Sequence, residues 1–349
     1  MSDQQKTGSL DRRKFIGLSI AAAGSSFLKT TGFCASESLQ KNDQLDHRHE
    51  AGEMTYRKLG RTNFVSSRLV FGCGAALSGG KAVRLLDRAF EAGINNYDIG
   101  SDTYYKESER SFAPFFKRHR DKIWVSSKAP LQTLRVNPDD EITVEQAKTA
   151  AKSWTKLLDA SLKDLGTEYV DAYYLMAVNN VKVIKSDEMY QAFLDAKAAG
   201  KTGYFGISTH NNAENLLKAA IETGWYDIAM IGITPKGWYD WNTKELKKGT
   251  PPLTQLQPLL QKARAKGIGL VGMKSVRYLA PMKSAGKGDS TAFDDVYQDE
   301  FKQRNLNQFQ KAYTYVLEHG LDVVNSDMQN FRHLEENIVS AQSAKNSIV

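Results

Sequence analysis

Apolar and polar positions switch period repeatedly along the chain after residue 68. Short runs rich in β-branched and aromatic side chains predict strands at 69–73, 94–98, 123–128, 170–176, 204–208, 227–231, 267–273 and 321–325. Between them, a period near 3.6 predicts helices at 82–92, 108–119, 144–165, 187–199, 213–223, 253–265 and 304–319. A last helix is expected at about 331–344. In "KAVRLLDRAFEAG", Val83, Leu85, Leu86, Ala89 and Phe90 fall on one face. Strands alternating with helices imply parallel pairing through right-handed crossovers. Eight such units predict an α/β fold, a closed (β/α)8 TIM barrel. Ahead of them, "TYRKLGRTNFVSSRLV" reads as an N-terminal β-hairpin with Gly60 near its turn. A doubly wound sheet fits less well, because no G-x-G-x-x-G follows the first strand. The glycines of "FGCGAALSGG" are spaced as turn residues.

The first residues follow another pattern. "SLDRRKFIGLSIAAAGSSFLKTTGFCAS" places Arg12 and Arg13 before Phe15 and a mildly apolar run ending near Leu28. That run is too short to span a membrane. The segment resembles a twin-arginine export signal, with cleavage expected near residues 32–38. The expected division is a signal peptide at 1–36, a polar linker at 37–53 and the barrel at 54–349. The resemblance implies the twin-arginine export machinery as a partner, a periplasmic or otherwise exported destination, and no stable membrane anchor.

Composition adds limits. The chain has 349 residues, 41% hydrophobic and 25% charged, which suits one barrel of about 250 residues with additions. Residues 1–35 carry a net +3, so the net charge of +7 falls to +4 beyond them. No long basic run with interleaved aromatics follows, and nucleic acid is not expected as a partner. The two cysteines, Cys34 and Cys73, become one if the signal is removed, leaving no intramolecular disulfide. No Cys/His set has metal-site spacing; His47 and His49 fall in the polar linker, and no metal is expected.

In such a barrel, chemistry gathers where the strands end. The second strand ends in Asp98, the third in Lys128 and the fourth in Met176. Tyr104 and Tyr105 follow Asp98 on the next loop. An ammonium held by a carboxylate draws a nearby phenol's pKa down, so that the phenol can deliver a proton to a substrate oxygen. An ion pair bracing the barrel mouth, with tyrosine packing beside it, accounts for the same residues. The cluster "KGWYDWNTK" puts Trp238, Tyr239 and Trp241 after the sixth strand. It suits a sugar or other polar ring, or a packed loop core.

Several segments together resemble the aldo/keto reductase family, from about residue 55 to residue 338. They are "YRKLGRTNFVSSRLVFGCG", "AGINNYDIGSDTYYKESE", "RHRDKIWVSSK", "LKDLGTEYVDAYYL", "GKTGYFGIST" and "NFRHLEENI". The resemblance implies carbonyl reduction or alcohol oxidation with NAD or NADP. Its catalytic residues would be Asp98, Lys128 and either Tyr104 or Tyr105. The family's usual histidine after the fourth strand is Met176 here, so Met176 is expected to face the substrate pocket. Asn179 or Asn180 is expected to restore the lost donor. On the cofactor side, the resemblance implies Ser208, Thr209, Met273, Lys274 and Asn337, with Trp238 beside the substrate. Asp327, near the position often basic for a 2′-phosphate, favours NAD by repulsion unless Lys274 or Arg332 supplies the charge.

The expected function is therefore an exported NAD(P)-dependent oxidoreductase acting on a small carbonyl or alcohol, such as a sugar. The missing histidine favours an alternative, a ligand-binding or regulatory barrel without catalysis. A further alternative is a sugar lyase or isomerase using the same Lys and Tyr without net redox.

Overall fold

The computed structural model describes residues 44–131, 133–281 and 287–345. The proposed signal segment lies outside them. The hairpin pairs β1 (Tyr56–Lys58) antiparallel with β2 (Val65–Ser67) around a 3-10 turn at Gly60–Thr62. The barrel strands are β3 (Leu69–Gly72), β4 (Asn96–Asp98), β5 (Trp124–Pro130) and β6 (Val170–Met176). They continue with β7 (Thr202–Thr209) and β8 (Ile228–Thr234). Next come the short β9 (Gly237–Asp240) and β10 (Glu245–Leu246), then β11 (Gly269–Met273) and β12 (Val323–Ser326). Strands β3 to β8, β11 and β12 pair in parallel, and the β12–β3 pairing closes the ring. This is the expected (β/α)8 barrel with its N-terminal hairpin.

The helices Ser108–His119, Val144–Leu165 and Ala213–Thr223 match their apolar periodicity. The first outer helix begins only at Leu85, and Val83 is exposed rather than on the buried face. Strands β9 and β10, which extend β8 as an antiparallel ribbon, were not expected. Among the described residues, no helix is long and apolar enough to cross a membrane.

Two apolar layers result from strand alternation. Val70, Trp124, Ala172, Tyr174, Met230, Val271 and Met273 fill the barrel, together with Leu59 and Phe64 from the hairpin. Their alternate neighbours, such as Tyr173, Leu175, Phe205 and Ile207, pack outward against the helices. Phe64 stacks on Trp124 at 4.8 Å and closes the floor. The Tyr174 ring fits inside because β7 carries Gly206 opposite; a Cβ there would overlap that ring.

Residues 44–53, part of the expected polar linker, pack on the barrel instead. Asp46 bridges to Phe64, Arg48 reaches Asp171 at 2.7 Å, and the His49 ring stacks on Phe90 at 3.8 Å. The buried Asp171 carboxylate accounts for this, because it needs the cations Arg48 and Arg120.

Candidate active site at the barrel mouth

Strands β4 and β5 deliver Asp98 and Lys128 to the same end of the barrel. Lys128 Nζ lies 2.6 Å from Asp98 Oδ2 and also donates to the Ile99 carbonyl. Asn325, from β12, donates its amide to the same Asp98 oxygen at 2.6 Å. Asp98 Oδ1 is buried without a partner among the described residues. Burial raises the Asp98 pKa, and Lys128 and Asn325 oppose the rise. Asn325 finishes the eighth expected strand, so strand alternation could have identified it.

The two tyrosines separate clearly. They end a four-residue helical turn, Asp102–Tyr105, capped by the Ser101 hydroxyl. Tyr104 is 59% exposed. Tyr105 lies over the site, with its ring centre 5.8 Å from Lys128 Nζ. Gly100 and Gly74 make room for it, since a Cβ on either would sit 2.5 or 2.9 Å from the ring. The turn is tied to the next helix: the Asp102 carboxylate accepts from Glu109 N at 2.6 Å, and Glu109 accepts from Asp102 N at 3.2 Å. The expectation that Lys128 lowers the phenol's pKa is not met. Burial and then the Asp98 charge push Tyr105 upward. Desolvation, and then the carboxylate, outweigh the lowering effect of the Arg277 guanidinium in this arrangement.

Met176 follows Ala172 and Tyr174 on the inward side of β6 and is buried at the mouth. Its thioether supplies no useful proton donor. Asn180 does not replace one. Its carbonyl oxygen caps the turn Val181–Ile184, and its amide donates to the Asn137 and Asp140 carbonyls, both at 2.8 Å. Asn179 is half-buried on the same loop, where its backbone carbonyl accepts from Asn212.

The remaining expected residues divide by strand parity. Ser208 points inward, 3.8 Å from the Met230 sulfur, and Met273 joins the inner layer. Thr209 points the other way and donates to the Asn211 carbonyl. Asn337 is buried, its amide donating to the Ser326 hydroxyl at 2.8 Å. Trp238 does not line the mouth; it is buried in the outer layer among the helices. The β9–β10 ribbon explains this: Trp238 faces that layer from β9, whereas Trp241 falls in the turn between the two strands, where its backbone N–H donates to the Asn211 side chain at 2.8 Å.

Trp241 gathers charge. The ammonium groups of Lys244 and Lys274 lie 3.1 and 4.4 Å from its ring centre, and the Arg277 guanidinium lies 5.8 Å away. His210 lies 5.6 Å from it, ring to ring. Burial and then Arg277 bring Lys274 down to about 7. Burial and then Lys274 and Lys128 bring His210 down to about 3, so its imidazole is neutral. The Asp327 carboxylate lies 3.8 Å from Arg277. The Ser275 hydroxyl is buried without a partner among the described residues. Two cations, an unpartnered hydroxyl and the inward Ser208 form a donor set that fits the phosphate and carboxamide groups of a nicotinamide dinucleotide.

A model of the aldo/keto reductase family matches residues 69–325. Norsolorinic acid reductase B of Aspergillus parasiticus is 30% identical over 129 residues, 36% of this chain and 33% of its own length. The uncharacterized oxidoreductase YqkF of Bacillus subtilis is 30% identical over 159 residues, 45% of this chain and 49% of its own. L-glyceraldehyde 3-phosphate reductase of Escherichia coli is 28% identical over 172 residues, 46% of each chain. The chain thus spans a third to a half of the length of these curated relatives. Two solved structures share the fold. Aldo-keto reductase AKR11C1 from Bacillus halodurans has a TM-score of 0.57 and 22% identity, with 84% of this chain and 92% of that one covered. The thermostable aldo-keto reductase Tm1743 has a TM-score of 0.59 and 19% identity, with 83% and 94% covered.

Proposed function

The chain belongs to the aldo/keto reductase family, and from that premise we propose that it is an exported oxidoreductase interconverting a small carbonyl compound and its alcohol with NAD or NADP. The observation that carries this reading is the buried Asp98–Lys128 pair with Tyr105 beside it. When bound, the dinucleotide supplies or accepts hydride. Tyr105 exchanges the proton with the substrate oxygen. Lys128 is the cation beside the phenolate left when that proton is given, its effect in the free protein offset by burial and the Asp98 charge; Asp98, itself held by Asn325, keeps Lys128 in place. Lys274, Ser275 and Arg277 would hold phosphate groups, and Ser208 the carboxamide. Asp327 beside Arg277 disfavours a 2′-phosphate, so NAD is the favoured cofactor. Carrying a twin-arginine signal, the protein would load its cofactor before folded export to the periplasm. The relatives' printed names, two reductases and an oxidoreductase, accord with this chemistry.

One observation favours a second reading, a binding barrel without turnover: Met176 occupies the inward position where the family usually has a histidine. Titration with NAD(H) and NADP(H), followed by tryptophan fluorescence, separates the two. Saturable quenching together with turnover that Lys128→Met abolishes supports the oxidoreductase. Ligand binding with no uptake of either nucleotide overturns it. A product at the substrate's oxidation level would instead point to lyase or isomerase chemistry. Export is tested by replacing Arg12 and Arg13 with lysine; undiminished appearance outside the cytoplasm would remove the twin-arginine assignment.

A further inference from the structure

Lys274 follows β11 directly, at the same barrel end as Asp98 and Lys128. Its backbone φ is +66°, in the left-handed region that a side chain with a Cβ rarely adopts. Strain of this kind persists only where the surrounding structure imposes it. The side chain runs to Trp241, whose ring centre lies 4.4 Å from Nζ. Lys274 is half-buried, and its ammonium keeps an opening to solvent.

No carboxylate holds this ammonium. Among the described residues Lys274 forms no ion pair and no hydrogen bond. Asp327 is engaged elsewhere, 3.8 Å from Arg277 and accepting from Gln329 Nε2 at 3.2 Å. The face of Trp241 is shared, because the Lys244 ammonium lies closer to it, at 3.1 Å. His210, 5.6 Å from the same ring, is neutral and offers no counter-charge. The remaining neighbours are cations: Arg277 just beyond it in the chain, Lys128 from β5 and Lys244 from the turn between β9 and β10. Lys128 differs, because Asp98 stands 2.6 Å from its Nζ. A desolvated amine beside other cations gives up its proton near neutrality and becomes a nucleophile. Burial and then Arg277 act on Lys274 in that direction, Asp327 opposing them.

We propose that Lys274 captures small aldehydes covalently, as an imine at the barrel mouth. The nitrogen lone pair forms a C–N bond to the carbonyl carbon. The C=O π pair moves to the oxygen, which receives one proton from the nitrogen. The carbinolamine then loses its hydroxyl and the second N–H proton as water, leaving C=N. The step is neither an oxidation nor a reduction and releases one water per aldehyde. Crowding by Trp241, Lys244 and Arg277 suits an aldehyde better than a bulkier ketone. A dinucleotide phosphate against Lys274 would hold the ammonium form, so capture belongs to the free mouth. It is separate from the hydride transfer proposed above and needs no nucleotide.

The test incubates the full chain, freed of nucleotide, with glycolaldehyde and sodium cyanoborohydride, which reduces an imine to a stable secondary amine. Peptide mass spectrometry maps the adducts over time. At pH 7, Lys274 should label about tenfold or more faster than the exposed Lys148, Lys152 and Lys156 of the helix Val144–Leu165. Lys128, tied to Asp98, should stay unlabelled. The rate at Lys274 should level off above about pH 7, while the helix lysines keep climbing toward pH 10. Arg277→Gln removes the neighbouring cation and releases Asp327, so it should slow Lys274 labelling at pH 7 several-fold. Mere exposure of Lys274 would give no such response, and if that variant does not fold, the wild-type pH profile decides. Lys274 labelling no faster than the helix lysines, or climbing with pH in parallel with them, would overturn the proposal.

Discussion

Lys128 Nζ stands 2.6 Å from Asp98 Oδ2, and both side chains are buried. Each charge is tolerated there because the other is present. Lys128→Met strands a carboxylate in a low-dielectric mouth and is expected to cost about 3–5 kcal/mol of stability along with turnover. Adding Asp98→Asn removes the stranded charge and should recover most of the stability but none of the turnover. Denaturant unfolding of the single and double variants measures both terms. A single variant as stable as wild type would show that the pair does not hold the mouth together.

The two tyrosines should differ sharply in solution. Tyr105→Phe keeps the ring packed against Gly74 and Gly100 but removes the hydroxyl, and turnover should fall by about 10²–10⁴. Tyr104→Phe changes an exposed side chain and should leave turnover near wild type. Steady-state kinetics with one substrate compares them directly. Equal losses in both variants would contradict the placement.

How much of this was legible in the sequence follows from which interactions are local. Strand alternation and strand ends were enough to place Asp98, Lys128 and Met176 at one mouth. The choice between Tyr104 and Tyr105 was not, because adjacent residues on one helical turn point about 100° apart and the phase is set by the Ser101 cap. Trp238 was misplaced because the β9–β10 ribbon carries no strong turn signal, and its register decides which tryptophan reaches the rim. Asn180 resembled a free donor because its partners, the Asn137 and Asp140 carbonyls, are about 40 residues away. The upward shift of Tyr105 is a burial effect, and burial is a property of the assembled mouth.

Met176 offers a gain-of-function test. Its side chain is inward and buried beside the site. Met176→His restores a donor toward the substrate oxygen and is expected to raise kcat by about tenfold or more, a modest share of what one oxyanion donor typically contributes. Asn180→Ala should do something different: it removes a helix cap and two further hydrogen bonds, costing about 1–2 kcal/mol of stability. Kinetics and thermal unfolding of the two variants separate these effects. A Met176→His protein that folds normally but is no faster would show that the missing donor does not limit the reaction.

The last prediction concerns the support beneath Tyr105. Glu109 is fully buried, accepts from Ser127 Oγ at 2.6 Å and from Asp102 N, and has its pKa raised from 4.5 to about 6 by burial, against hydrogen bonds from Ser127 and Ser161. A raised carboxyl pKa means that the folded state holds the proton more tightly than the unfolded chain. Its stabilising contribution is therefore complete below pH 4.5 and is lost as pH rises through 6. The ionised form at neutral pH costs about 2 kcal/mol relative to the protonated one. His210 acts in the opposite sense, because its lowered pKa makes the folded state resist protonation between 6.5 and about 3. The raw stability curve mixes the two. Subtracting the curve of Glu109→Gln isolates the first, since the misaligned amide adds an offset that does not vary with pH. The difference, wild type minus variant, should fall by about 2 kcal/mol between pH 4 and pH 7, with its midpoint between 4.5 and 6. A flat difference over that window would mean that the carboxyl beneath the tyrosine turn titrates as it does in water.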